Sequence, residues 1–151
     1  MVHSSNAIET RFWIICAPRD HVMQSVKGGF CQLTHGRTKV LQRMSPGDWI
    51  ACYSDHASSE SNLPCQCFTA IGKVAEREVY HRALDEQRCP FRRDVHYSPV
   101  NEVDIRLLLS KLSFIKNKTY WALPFRRGYL EVSESDFRDI AERMLEEAFS
   151  P

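Results

Sequence analysis

The chemically capable residues of this chain are six cysteines (Cys16, Cys31, Cys52, Cys65, Cys67, Cys89), six histidines and a stretch, MSPGDWIACYSD at 44–55, that ends on Tyr53, Ser54 and Asp55. Cys65, Cys67 and Cys89 with a histidine such as His56 could ligate zinc. A CxC pair without a second matched pair is a poor zinc signature, however, and no metal is expected. A thiol nucleophile, Cys16 or Cys52 served by His21 or His35, is the catalytic alternative. Both cysteines fall in strand-like sequence, where an inert buried thiol is the expected state. There is no phosphate loop, GxSxG elbow, HExxH pair or dinucleotide glycine fingerprint. The expectation is therefore a non-enzymatic chain with no catalytic residue and no cofactor, whose chemistry is that of binding.

The elements that must position these residues follow from pattern. RFWIICA at 11–17 is an apolar run bounded by Pro18 and reads as a buried central strand. Asp20 can cap a short helix with Val22, Met23 and Val26 on one side, ended by Gly28 and Gly29. Residues 30–35 look extended, with a turn at Gly36, and Val40, Leu41 and Met44 fall at helical spacing. Pro46 and Gly47 suit the centre of a tight turn that launches a strand over 48–53. HASSESNLP at 56–64 reads as a loop, 66–79 as a long or broken strand with a bulge at Gly72, and 92–97 as a further strand. Ile105, Leu108, Leu109 and Leu112 predict a helix. Residues 120–124 and 129–132 read as strands flanking a turn at 125–128. Ser133 can cap a last helix whose stripe is Phe137, Ile140, Ala141, Met144, Leu145 and Ala148. Strands outnumber helices without βα alternation, so the expected fold class is α+β around a curved sheet.

At 151 residues, 43% hydrophobic and 26% charged, the chain has the composition of one globular domain over 1–151. No apolar run approaches the ~20 residues that span a bilayer and the start lacks signal-peptide features, so a cytoplasmic location without membrane association is expected. Residues 133–151 hold two arginines against six acids, a net of −4, which leaves +5 on residues 1–132 of a total of +1. A body basic relative to its tail is compatible with an anionic partner.

Taken in order, FWIICAPRDHV, CQLTHGR, RMSPGDWIACYSD, CFTAIGKV, CPFRRDVHY and YWALPFRRGYLEVSESDFRDIAERM resemble the EVE domain, a member of the PUA-like superfamily, from about Phe12 to Met144. The resemblance implies a pseudo-barrel of mostly antiparallel strands flanked by helices, with a concave site related to those by which YTH and other PUA-like domains grip modified bases. It implies a reader of modified DNA or RNA, with any cutting or modification supplied by a separate nuclease or modifying enzyme. The motifs carry over Trp13, Gln32, His35, Gly36, Tyr53, Ser54, Arg92, Arg93, Trp121 and Arg126. A flipped base needs aromatic walls, polar atoms for its edge and cations for its phosphates. Tyr53, Trp13 and Trp121 are the expected walls. Ser54, Gln32, His35 and backbone amides would address the edge, with Gly36 of the same motif at the site, and Arg92, Arg93, Arg126 and Arg127 the phosphates. On this reading the strand after Pro46-Gly47 delivers Tyr53 and Ser54 to a base pocket. The alternative is a binder of, or enzyme acting on, a free small molecule such as a modified nucleoside in the same hollow.

Overall fold

The structure is a computed structural model that describes residues 9–33, 38–82, 84 and 90–151. Its elements run β1 (Phe12–Cys16), α1 (Arg19–Gly28), β2 (Phe30–Leu33), α2 (Thr38–Arg43), β3 (Trp49–His56), β4 (Pro64–Val74), β5 (Tyr80–His81), β6 (Phe91–Ser98), β7 (Val103–Asp104), β8 (Tyr129–Val132) and α3 (Glu134–Leu145). The sheet is a curled half-barrel ordered β2-β6-β4-β3-β1-β8, with β5 added to β6 and β7 to β4. β1 and β3 pair in parallel and the other pairs are antiparallel. The expected α+β pseudo-barrel is thus the observed one. No helix among the described residues is long and apolar enough to cross a membrane.

Alternation along the strands divides the apolar residues between two cores. Phe12 and Ile14 of β1, with Ala51 and Tyr53 of β3, pack against Phe137, Ile140, Ala141 and Met144 of α3. Their neighbours Trp13, Ile15, Ile50 and Cys52 face the other way, onto Val22 of α1 and Val40 and Leu41 of α2. Each large side chain buried in this way contributes about 1.5–3 kcal/mol of apolar transfer energy. Asp48, buried at the head of β3, ties the frame together. Its carboxylate accepts from the Arg11 amide at 3.0 Å, the Ser45 amide at 2.9 Å and the Trp13 indole N–H at 3.1 Å.

Several sequence expectations change. Asp20 is not the cap of α1: Pro18 stands there, and the Asp20 carboxylate accepts from the adjacent His21 amide. Gly72 sits in regular register with Ile50 and Tyr97, and the irregular pairings are at Cys52/Tyr53 and Ser54/His56. The helix expected from Ile105 is β7 followed by a 3-10 turn at Ile105–Leu107, capped by the Asp104 carboxylate. Residues 120–124 are not a strand. Leu123–Arg127 form a 3-10 helix closed by Gly128 at φ 84°, with Pro124 in its first turn, where a missing N–H costs nothing. The Ser133 cap is as expected, its hydroxyl accepting from the Asp136 amide at 3.1 Å.

Candidate functional site

A recess of about 350 Å³ opens where the end of α1 meets β2, β5 and β6, lined by Gly28, Phe30, Arg77, Tyr80, His81, Arg82 and Arg92. Its floor follows from register. Arg92 of β6 pairs with Gln32 of β2 on one side and Tyr80 of β5 on the other, so the three side chains share one face of the sheet. Phe30 and Asp94, two residues along their strands, belong to the same face. The helix end fixes Phe30: Gly29 takes the left-handed conformation at φ 74°, its amide donating to Ser25 and Val26 carbonyls, and the chain reverses directly into β2. The Phe30 ring lies so close over Gly28 that a Cβ there would stand 2.3 Å from Phe30 Cε1.

Two guanidinium groups lie on two rings. Arg92 Cζ is 3.8 Å from the centroid of Phe30, and Arg77 Cζ is 3.6 Å from that of Tyr80. Arg92 Nε donates to Gln32 Oε1 at 2.8 Å, and the Tyr80 hydroxyl donates to Asp94 Oδ1 at 2.7 Å. Arg77 approaches the other Asp94 oxygen at 3.6 Å. Burial lowers the pKa of Arg92, the nearby Tyr80 oxygen opposes that shift and like-charged Arg82 adds to it. Burial, then Asp94, raises that of Tyr80. Among the described residues three guanidiniums line the open hollow, and the Asp94 carboxylate, engaged by Tyr80 and Arg77, lies beside it. Such a site can stack a flat ring against an aromatic or guanidinium plane, and it can hold an anion by charge-assisted hydrogen bonds.

Of the residues expected at the site, Gln32 and Arg92 meet here. Four others are corrected. Trp13 is 1% exposed, its ring in the α1/α2 core and its N–H given to Asp48, so it cannot wall an open pocket. Tyr53 is also 1% exposed, its ring stacked on Phe125 at 4.2 Å and edge-on to Phe68 at 5.5 Å; the volume expected to hold a base is filled by the protein's own rings. Ser54, the next residue along the strand, is fully buried and shares a 2.8 Å hydrogen bond with Thr69. Arg93 follows the same rule beside Arg92: one residue on, it points through the sheet, is 5% exposed and donates to the Leu41 carbonyl at 3.3 Å. It is therefore no phosphate contact. Trp121 is half-buried against the α3-side core, 6.5 Å from Tyr53, and Arg126 and Arg127 are exposed on the 3-10 helix before β8. β8 is at the far end of the sheet order from β2. His35, Gly36 and Cys89 lie outside the described residues.

Phe30, Arg77, Tyr80, His81 and Arg82 were not anticipated. Their signal is an interleaving of arginine and aromatic residues, R-E-V-Y-H-R at 77–82, too short and irregular to read as a strand. The catalytic alternative loses support at Cys52, a fully buried thiol that burial pushes up to about 12, the opposite of activation.

The fold itself defines a class. It matches the solved YTH domain of the Zygosaccharomyces rouxii MRB1 protein in complex with N6-methyladenosine RNA, with a TM-score of 0.58 at 19% identity over 91% of this chain and 90% of that one. It also matches Agrobacterium tumefaciens protein Atu2648, with a TM-score of 0.57 at 16% identity over 94% and 99%. Among sequence relatives, a Bacillus licheniformis UPF0310 protein in the gntR 5' region is 42% identical over 127 residues, 84% of this chain and 86% of that protein. Bacillus subtilis UPF0310 protein YdcG is 34% identical over 137 residues, covering 91% and 94%. The EVE domain model matches residues 11–143, and the chain belongs to the EVE domain family.

Proposed function

We propose that this chain is a nucleic-acid-binding reader that takes a modified base into the recess bounded by Phe30 and Tyr80 and performs no catalysis of its own. The observation that carries the reading is the pair of guanidinium-on-ring layers, Arg92 on Phe30 and Arg77 on Tyr80, around a hollow that three arginines line among the described residues. Its volume lies at the low end of the roughly 300–1,000 Å³ range of small-molecule sites, the scale of one nucleotide rather than a longer segment. A base entering the recess takes the place of a guanidinium on its ring, or stacks on the guanidinium's outer plane. The displaced arginine, with Arg82, then turns to the flanking phosphates. The Gln32 amide, beside Arg92, offers both donor and acceptor chemistry to the base edge. Likeness to a YTH domain solved with methylated RNA supports the reading. A cutting or modifying step would come from a separate protein.

The test is fluorescence anisotropy with single-stranded DNA and RNA oligonucleotides carrying modified or plain bases, on the parent chain, Phe30→Ala and Tyr80→Ala. Each removed stacking contact is expected to cost about 1–3 kcal/mol and to reduce discrimination between modified and plain base. Folded variants that discriminate like the parent would overturn the assignment. Equal affinity for a free modified nucleoside and for the oligonucleotide carrying it would move the function to small-molecule binding.

A further inference from the structure

Between Asp104 and Glu131 the chain contains six cations, Arg106, Lys111, Lys116, Lys118, Arg126 and Arg127, and no acid. All six are exposed. Arg106 is paired with Asp104, whereas the other five enter no ion pair among the described residues. Glu131, the acid that ends the run, is engaged by Arg11 and Arg43. The backbone beneath is anchored. Leu112, Ile115 and Phe125 are buried in the α3-side core and Trp121 packs against it, so Lys116 and Lys118 lie between anchored residues and Lys111 and Arg126 directly beside them. Apolar surface is exposed in the same stretch: Tyr120 is 64% and Leu123 49% exposed. Asn117 fixes the approach to Tyr120, its side-chain oxygen accepting from the Thr119 amide at 2.9 Å and the Tyr120 amide at 3.2 Å.

We infer that this strip is a second nucleic-acid contact, separate from the recess, which holds the phosphodiester backbone of a single strand on Lys111, Lys116, Lys118, Arg126 and Arg127 while Tyr120 stacks one of its bases. Five unneutralised cations match a polyanion, and an exposed ring held at a turn is a stacking platform that only an unpaired base can use. The inference rests on the nucleic-acid reading of the chain but not on what occupies the recess. A ligand short enough to fill the recess alone gains nothing from the strip. A longer strand gains affinity from both.

The experiment compares the parent, the triple variant Lys111→Gln/Lys116→Gln/Lys118→Gln, Tyr120→Ala and Arg92→Gln, using single strands of about 4 and about 20 nucleotides, lengths bracketing a typical site. At about 50–200 mM salt the triple variant is expected to bind the long strand with a salt slope shallower by about 2, from ~0.7 per lost phosphate contact, so that its deficit against the parent changes about 16-fold across that range. Tyr120→Ala is expected to weaken the long strand about tenfold whatever its sequence. Neither substitution should alter binding of the short strand, where Arg92→Gln acts. The strip side chains are exposed and Arg92 is half-buried at the rim of the recess, outside both cores, so the variants should fold. Long-strand affinity and salt slope unchanged in both strip variants, with Arg92→Gln still impaired, would overturn the strip and leave the recess standing. Loss in the strip variants alone would keep the strip and remove the recess. Loss of binding to anionic lipid vesicles without any change on oligonucleotides would assign the surface to membranes instead, and a parent that binds no nucleic acid would refute both.

Discussion

Gly28→Ala tests the recess without touching a charge or a ring. Gly28 is helical, so alanine meets no backbone strain there and gains up to ~1 kcal/mol of helix propensity. The new methyl group would stand 2.3 Å from Phe30 Cε1 and 2.7 Å from Cδ1. Restoring an ordinary ~3.5 Å carbon contact requires the ring to withdraw by about 1.2 Å. Phe30 is half-buried at the rim and can swing outward, so the net effect on stability should lie within about 1 kcal/mol of zero, read by urea denaturation. The displacement is nevertheless a large part of the 3.8 Å separation between Phe30 and the Arg92 guanidinium. It should forfeit most of a stacking contact worth about 1–3 kcal/mol, which makes the expected loss of modified-base affinity about tenfold, read by anisotropy. A Gly28→Ala protein of parental stability and parental affinity would refute the claim that the Phe30 plane forms the binding surface.

Other predictions concern the frame. Asp48→Ala leaves the Trp13 indole N–H and two amides without their buried acceptor and should lower stability by about 3–5 kcal/mol, measured by chemical denaturation. Tyr53→Phe keeps the ring stacked on Phe125 and loses only a 3.5 Å contact to Asp55, so stability should stay within about 1 kcal/mol and oligonucleotide affinity should not change. An affinity loss there would return Tyr53 to the site. Burial pushes the Cys31 and Cys52 thiols up to about 12, above their unfolded values near 9, so the native state retains protons that the unfolded chain releases. Their contribution is complete below pH ~9 and declines as pH rises toward 12, by up to about 1.4 kcal/mol per pH unit for each thiol. Cys52→Ala should flatten that alkaline decline in denaturation curves recorded at pH 8 to 11, relative to the parent.

Much of the frame was legible because hydrophobic period reports burial directly. FWIIC and the stripe of Phe137, Ile140, Ala141 and Met144 marked β1 and α3, and Ser133 marked where the helix starts, whereas Leu145 is half-buried and Ala148, expected in the stripe, is exposed beyond the end of α3. Of the stripe Ile105, Leu108, Leu109 and Leu112, all but the half-buried Leu109 are buried, and the element was misnamed. Successive turns closed by Leu108 to Ile105, Lys111 to Leu108 and Ile115 to Leu112 hydrogen bonds repeat at nearly the helical spacing without being an α-helix. The site was harder to read, for a reason visible in two adjacent pairs. Arg92 and Arg93, like Tyr53 and Ser54, look equivalent as motif residues, yet the strand period of two sends one member of each pair to the opposite face from the other. Which member faces the recess depends on the pairing of β6 with β2 and β5, contacts far apart in sequence. β5 is only two residues long, so its Tyr80 gave no strand signal at all.

The recess is made by β2, β5 with Arg77 and Arg82 on either side of it, the first residues of β6 and the last turn of α1, and none of its lining residues belongs to β1, β3 or β4, which run through both cores. On the proposed reading, exchanging Phe30, Tyr80 or the arginines around them would re-tool what is recognised while leaving the buried side chains of both cores in place.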